Sequence, residues 1–210
     1  MFYSAQMDNA LRFGDVLKGY IIANSNIKEP ALTASTKDYH IDVRVPLFCV
    51  ALSPCCSIGY KTIALSPLLE VRNTLFKNPY FVDDLRRINR EMEPEQAVPP
   101  QVWERLDSQE KQRRLEEGYG YAFLELFIFE PNELFPKYTV HLKEGNVETN
   151  FYMIDFRNIY KVDCEKIISA KDAPIASKCL QLTIDGRSEL RDKISYYYAR
   201  VPEEDKIQED

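Results

Sequence analysis

The stretch from Val43 to Leu69, VRVPLFCVALSPCCSIGYKTIALSPLL, constrains the fold more than any other part of the chain. It holds two apolar runs bounded by turn-forming residues, and short runs of this kind are typical of buried strands. We therefore expect strands at about Ile41 to Leu52 and Lys61 to Leu65. The turn that joins them carries Cys55 and Cys56.

The composition supports a folded core and limits the class of protein. Of the 210 residues, 45% are hydrophobic and 12% are aromatic, which supplies enough apolar surface for a core. The formal net charge of −6 argues against broad, nonspecific nucleic-acid binding, and a local basic patch stays open. No apolar run approaches the length of a membrane span, so we expect no membrane partner.

Two further features bear on location and cofactors. The N-terminal sequence MFYSAQMDNALRFGD lacks the charged start, apolar centre and cleavage site of a signal peptide. Five cysteines, an odd number without framework spacing, indicate reduced thiols. These features predict a cytoplasmic protein. We read no metal-ligand or cofactor motif in the sequence and expect neither group.

Charge and proline content divide the chain into segments. Residues 76–120 are charged, contain several prolines and lack β-branched runs, which predicts a helical insertion. Within it, Asp107 and Glu110 predict a capped helix start. Strand-like sequence resumes afterwards, so we expect residues 1–75 and 121–202 to form one domain. Residues 203–210 are predicted to be an acidic tail. The predicted fold class is mostly β with helices (α+β).

Two later segments complete this prediction. The sequence from Phe151 to Tyr160, FYMIDFRNIY, predicts one strand with Asp155 and Arg157 on the same face. These two side chains form either a weak surface ion pair or part of a polar site. A C-terminal amphipathic helix is predicted from about Ser188, with Lys193 facing away from the core.

Cys55 and Cys56 are the obvious pair to test for chemistry. Adjacent residues rarely ligate one metal ion, because zinc sites usually space their ligands by two or more residues. Buried structural thiols are the favoured interpretation, and a redox or metal sensor is the alternative. His40 and His141 lie on or beside predicted strands, where surface or hydrogen-bonded histidines are commoner than catalytic ones.

Two segments resemble the opening of MazF/PemK-type toxins. They are Arg12 to Val16 (RFGDV) and Val50 to Leu65, where a Val-Ala-Leu-Ser-Pro strand is followed by a polar turn and another strand. That family folds as a small barrel and cleaves single-stranded RNA without metal. The resemblance covers about the first third of the chain and implies a small MazF-like β-barrel, with residues 1–75 as its first part and its remaining strands in residues 121–202.

The sequence departs from the toxins at both of their catalytic positions. The toxin arginine stands just before the proline that starts the Leu-Ser-Pro strand, and its nearest counterpart here, Arg44, is displaced by extra residues. The toxin threonine is replaced by Ser66. In a diverged, metal-independent endoribonuclease, Arg44 would bind phosphate or donate a proton, and Ser53 or Ser66 would position the scissile group. Lys18 or Lys61 would hold the RNA backbone.

A second resemblance covers more of the chain. Gly14 to Val16, Leu52 to Cys56, Phe151 to Arg157 and Arg187 to Arg200 resemble the motifs of a bacterial family of uncharacterised function. In that family an acidic residue usually follows the second cysteine, and here Ser57 follows it. This resemblance implies a shared domain and no particular activity.

The favoured hypothesis is a noncatalytic binding or assembly module with a protein partner or self-association. The missing threonine, the acidic composition and the tyrosines of the last helix favour it. The alternative is the endoribonuclease, with RNA as partner. A toxin–antitoxin, phage-defence or housekeeping setting stays open. The predicted binding residues are Lys18, Arg44, Lys61, Asp155 and Arg157.

Overall fold

The structure is a computed structural model. It describes residues 1–27, 39–54, 56–59, 61–77, 79–82, 84–90, 96–121, 123–143, 145–171 and 177–199. Strands and helices are mixed, with strands in the majority, so the α+β part of the predicted fold class is confirmed. The predicted acidic tail, 203–210, lies outside the described residues.

The strands are β1 (Val16–Leu17), β2 (Ile22–Ile27), β3 (Tyr39–Arg44), β4 (Cys49–Ala51), β5 (Thr62–Pro67), β6 (Leu69–Glu70), β7 (Ala97–Val98), β8 (Gly120–Tyr121), β9 (Leu126–Phe129), β10 (Tyr138–Leu142), β11 (Gly145–Thr149), β12 (Tyr152–Asp155), β13 (Tyr160–Asp163) and β14 (Lys178–Leu180). The α-helices are α1 (Asn73–Phe76), α2 (Pro79–Val82), α3 (Pro100–Arg105), α4 (Ser108–Glu116) and α5 (Ile184–Ala199). A 3-10 helix covers Leu85–Asn89.

The chain forms two compact units, each built from two separate stretches of sequence. Unit 1 comprises Met1–Leu69 and Arg157–Arg187, and unit 2 comprises Glu70–Phe156 and Ser188–Asp210. These limits differ from those of the predicted insertion at 76–120. The division of the chain into one domain with an insertion stays a prediction.

Unit 1 is organised by a five-stranded sheet in the order β13-β5-β4-β1-β14. Neighbouring strands are antiparallel throughout. Within the described residues β13 and β14 are the two edges and do not pair with each other, so no closed barrel is observed. The MazF-like barrel therefore stays a prediction.

The apolar runs around Val50 and Ile63 form β4 and β5 in the middle of this sheet. Val50, Ile63 and Leu65 have no exposed surface. The first run is not one strand from Ile41 to Leu52, because the chain leaves the strand conformation around Pro46 and yields β3 and β4 separately. Proline has no backbone N–H to donate to a sheet, which accounts for the break.

A buried polar cluster joins the ends of β1 and β14. The Lys178 Nζ lies 2.9 Å from the Asp15 Oδ2, and both side chains are fully buried. The same ammonium donates to the carbonyl of Ala10 at 2.8 Å and to the Gln181 Oε1 at 2.6 Å. A buried charge is costly without such partners, so these oxygens replace the water that Lys178 loses on folding. The Gly-Asp-Val motif thus has a structural role in unit 1.

Among the described residues, three small groups of strands lie wholly or mostly in unit 2. They are the sheet β6-β12-β9, the antiparallel hairpin β10–β11, and the parallel pair β7 and β8. Asn89 attaches the 3-10 helix to β9, since its side-chain amide donates to the Ile128 carbonyl at 2.7 Å and accepts from the Ile128 N–H at 2.6 Å. The predicted cap at Asp107 is confirmed, because its carboxylate accepts from the Glu110 N–H at 2.8 Å at the start of α4.

Two predictions for the last third of the chain are wrong. The FYMIDFRNIY segment is not one strand: β12 ends at Asp155, a turn follows, and β13 begins at Tyr160. The predicted C-terminal helix is present as α5, but it begins at Ile184 rather than at about Ser188, and Lys193, predicted to face away from the core, is only 6% exposed. Lys193 lies three residues after the fully buried Leu190, which places both on one helix face.

Candidate functional site

The β2–β3 hairpin is the least buried structured part of unit 1. Its antiparallel register runs from Ile22 opposite Arg44 to Ile27 opposite Tyr39. Ile22 is 1% exposed and packs into the hydrophobic core, so it anchors the base of the hairpin. Beyond this anchor, every side chain of β3 is exposed or half-buried.

One face of this hairpin is apolar and open to solvent. Tyr39, Ile41 and Val43 alternate along β3 and therefore share one face, which we call the hairpin face. Their exposed fractions are 42%, 61% and 63%. On β2, the small residues Ser25 and Ala23 stand opposite Ile41 and Val43 and leave these two side chains uncovered. Three more exposed apolar residues lie near the hairpin base in sequence: Ile21, Val45 and Leu47.

The opposite face of the same hairpin is polar. His40, Asp42 and Arg44 occupy the intervening positions of β3, and the His40 Nε2 lies 3.7 Å from the Asp42 Oδ1. Asn24 and Asn26 stand opposite Asp42 and His40 on β2. Within the described residues β3 pairs with β2 alone, so its other edge offers backbone N–H and C=O groups for pairing.

A cavity of about 670 Å³ lies at the base of the hairpin, within unit 1. Its lining residues are Lys18, Gly19, Tyr20, Ile21, Val162, Asp163, Cys164 and Ser177. The Lys18 Nζ stands 4.8 Å from the centroid of the Phe48 ring, a cation–π distance. This predicted binding residue is therefore beside both a cavity and an aromatic ring.

A second cavity, of about 560 Å³, belongs to unit 2, and its described lining residues all have polar side chains. They are Asp84, Arg86, Asn89, Arg90, Glu189, Asp192 and Lys193. Burial lowers the pKa of the Lys193 amine from its ordinary 10.5 to about 7, and the nearby Glu125 carboxylate opposes this shift only in part. Arg86 and Arg90 are already paired, with Glu130 at 3.0 Å and Asp84 at 3.6 Å.

The predicted cations Arg44 and Lys61 are exposed at separate points of unit 1. Arg44 is the last residue of β3, and Lys61 precedes β5 with a φ of 68°. The Lys61 backbone is fixed by two hydrogen bonds, from its N–H to the Ile167 carbonyl at 2.9 Å and from the Cys164 N–H to its carbonyl at 2.6 Å. The described contacts do not join Arg44 and Lys61 in one site.

The two predicted catalytic serines are buried. The Ser53 Oγ accepts from the Ala64 N–H at 2.8 Å and so holds the end of β4 against β5. Ser66 lies on β5 opposite Val50 and has no exposed surface. Within the described residues its hydroxyl has no hydrogen-bond partner. Neither hydroxyl is presented at the surface, where an RNA strand would need to meet it.

Asp155 and Arg157, predicted to share a strand face, are separated by the end of β12. The Asp155 carboxylate is nearly buried in unit 2 and binds the Arg72 Nη2 at 2.7 Å. Arg157 is exposed in the turn that follows the strand. The partner of Asp155 was missed because Arg72 is distant in sequence and carries no local signal.

The cysteines and histidines that the structure describes share no centre. Burial raises the pKa of the Cys49 thiol to about 12, which makes it a poor nucleophile. Cys56 is exposed, so the prediction of a buried thiol is wrong there, and Cys55 lies outside the described residues. The exposed His141 places its Nδ1 2.9 Å from the Asn146 Oδ1.

The hairpin face is the surface that the sequence analysis missed. Its signal was readable, since Tyr39 to Val45 (YHIDVRV) alternates between large apolar and polar residues, the pattern of an amphipathic strand.

Among the described residues, no three His, Cys, Asp or Glu side chains lie together as a metal-binding group. No helix in that part of the chain combines the length and apolar character that a membrane crossing requires.

Comparisons with known proteins gave no match: no family model, curated protein or solved structure is similar to this chain. The MazF/PemK resemblance thus rests on the short motifs quoted above.

Proposed function

We propose that this chain is a noncatalytic binding or assembly module and that the β2–β3 hairpin is its protein-binding surface. The observation that carries the proposal is the hairpin face, on which Tyr39, Ile41 and Val43 stand exposed side by side. Contiguous exposed apolar side chains rimmed by polar residues are characteristic of interaction sites, because covering them removes apolar surface from water.

The burial of the serines supports the noncatalytic part of this proposal. Ser53 follows β4 and Ser66 lies on β5, and both are buried inside unit 1, whereas Arg44 is exposed. The endoribonuclease alternative gains no support from this arrangement and stays a prediction. The free thiols of Cys49, Cys56, Cys164 and Cys179 are compatible with the cytoplasmic location that we propose.

A pair of matched variants tests the hairpin. The double substitution I41K/V43K puts two charges on the hairpin face, and N24K/N26K puts two charges on the polar face of the same hairpin. Each tagged full-length protein is purified from its own host and weighed by native mass spectrometry. We expect the wild type and N24K/N26K to form the same complex and I41K/V43K to lose it.

Two results would overturn the proposal. One is a wild-type chain that remains a monomer without any bound protein. The other is a complex that I41K/V43K leaves intact, because the hairpin would then not be the binding surface. Incubation of the wild type with single-stranded RNA checks the noncatalytic part, and cleavage that R44A abolishes would favour the endoribonuclease instead.

A further inference from the structure

The open edge of β3 indicates what kind of partner fits the hairpin. We propose that the partner is a second copy of this chain, and that two β3 strands pair antiparallel about a two-fold axis through Val43. This inference rests on the proposed function, since it names the occupant of the same hairpin. The product would be one four-stranded antiparallel sheet, β2-β3-β3-β2.

In this register the charges on β3 of one copy are complementary to those on β3 of the other copy. With Val43 on the axis, Asp42 of each copy stands opposite Arg44 of the other, so two cross-strand ion pairs form. Charged side chains on a strand edge normally prevent such pairing. Here their alternating signs favour it, and cross-strand pairs of opposite charge stabilise a sheet. A shift of the axis to Asp42 would instead place two Asp42 carboxylates face to face.

The apolar side chains match in the same register. Val43 meets Val43 on the axis, and Ile41 meets Val45, which is 73% exposed in the single chain. Directly opposite side chains in an antiparallel pair lie close enough to cover each other's flanks. The exposed apolar side chains of β3 therefore lose part of their contact with water. They lie on one face of the sheet, and the ion pairs lie on the other.

The gain in strand number supplies a second reason for pairing. A hairpin of two strands is only marginally stable in water, whereas three or more strands with an apolar face are stable. The β2–β3 hairpin is held to the core of unit 1 through Ile22 at its base, and its other described side chains extend from that anchor largely exposed. Pairing at the β3 edge adds strands where the single chain has two.

Charge reversal tests the register. Both D42R and R44D convert two attractive pairs into repulsive ones, and the double variant D42R/R44D restores attraction with the charges exchanged. We expect the dissociation constant, measured by sedimentation, to rise about tenfold or more in each single variant and to return close to the wild-type value in the double variant. The matched control is K161D, which alters an exposed Lys161–Asp163 pair on the edge strand β13 and is expected to leave the dimer unchanged.

A disulfide test locates the axis. In a background with Cys55 and Cys56 changed to Ser, V43C places two thiols opposite each other across the axis, within disulfide reach. I41C faces Val45 instead. We expect oxidation to link V43C chains and to leave I41C chains unlinked.

The possible negative results show whether the identity of the partner, the proposed function, or both are wrong. A dimer that ignores the charge reversals overturns edge pairing. A monomer that instead binds another protein, and loses it in I41K/V43K, overturns the second copy and leaves the proposed function standing. A monomer that binds nothing overturns both.

Discussion

Each unit contains one long antiparallel hairpin, and the two hairpins are patterned in opposite ways. In β10–β11 of unit 2, Val140 is 1% exposed and the alternate positions Thr139 and His141 face solvent. In β2–β3 of unit 1, the apolar Ile41 and Val43 face solvent. The unit 2 hairpin thus buries Val140 of β10, although Val147 opposite it is 37% exposed, whereas the unit 1 hairpin leaves both Ile41 and Val43 of β3 uncovered.

The two hairpins also differ in how their tyrosines are held, since Tyr138 of β10 is hydrogen-bonded to its own unit and Tyr39 of β3 is exposed. The Tyr138 hydroxyl of β10 donates to the Phe151 carbonyl at 2.6 Å and accepts from the Val71 N–H at 2.9 Å. Its counterpart at the start of β3, Tyr39, is 42% exposed. A hairpin tied down in this way has a structural role, and a hairpin with an exposed apolar face is suited to binding.

The largest expected difference comes from one substitution made in both hairpins. V140K places an ammonium in a buried apolar position, and we expect it to lower the free energy of unfolding by about 3 kcal/mol or more. V43K changes a position that is exposed in the single chain, and at protein concentrations where the chain is a monomer we expect a change within about 0.5 kcal/mol. Urea unfolding of both variants measures the contrast. Equal losses of stability would mean that the hairpin face is covered within the single chain.

A smaller contrast is expected from removing a hydroxyl. Y138F leaves the Val71 N–H and the Phe151 carbonyl without their partner, so we expect a loss of about 1–3 kcal/mol. Y39F removes an exposed hydroxyl and should change stability by no more than a few tenths of a kcal/mol. The two midpoints of thermal unfolding give the comparison, and a Y39F loss as large as that of Y138F would contradict it.

The third contrast concerns the pH dependence of stability, which Lys193 of unit 2 is expected to produce and the hairpin face of unit 1 is not. Because the pKa of Lys193 is about 7 when folded and 10.5 ordinarily, the unfolded chain holds more protons between these values. Stability from this group therefore rises with pH across that window. We expect K193M to stabilise the protein most at pH 7, and its advantage to shrink by about 1 kcal/mol per pH unit up to pH 10.

Unfolding curves of K193M and wild type at matched pH values test this expectation. V43K is the control, because it alters no buried titratable group and should differ from wild type by the same amount at each pH. A constant difference for K193M would show that Lys193 keeps its ordinary pKa in unit 2.

The sequence predicted best where the signal was local. The buried strands around Val50 and Ile63 and the cap at Asp107 follow from apolar runs and capping chemistry within a few residues. The break at Pro46 was also readable and was passed over. The burial of Lys193 was not readable, because an amphipathic pattern shows which residues are apolar and not how wide a helix face is covered.

The candidate surface was predictable in part. The alternation in β3 was in the sequence, yet the exposure of its apolar side depends on β2, whose Ala23 and Ser25 are too small to cover it. The pairing of Asp155 with Arg72 and of Asp15 with Lys178 depends on tertiary structure, since each joins residues far apart in the chain. Such contacts carry no spacing signal that a single sequence reveals.

The pairing of β1 with β14 has a consequence for how the protein is made. Val16 is opposite Val50 on one side and Leu180 on the other, so the first strand of unit 1 gains its second neighbour only after most of the chain has left the ribosome. Contacts of such high sequence separation slow folding and prolong the life of partly folded chains. Until then the sheet lacks β14, and fragments that stop before residue 177 are expected to aggregate rather than fold.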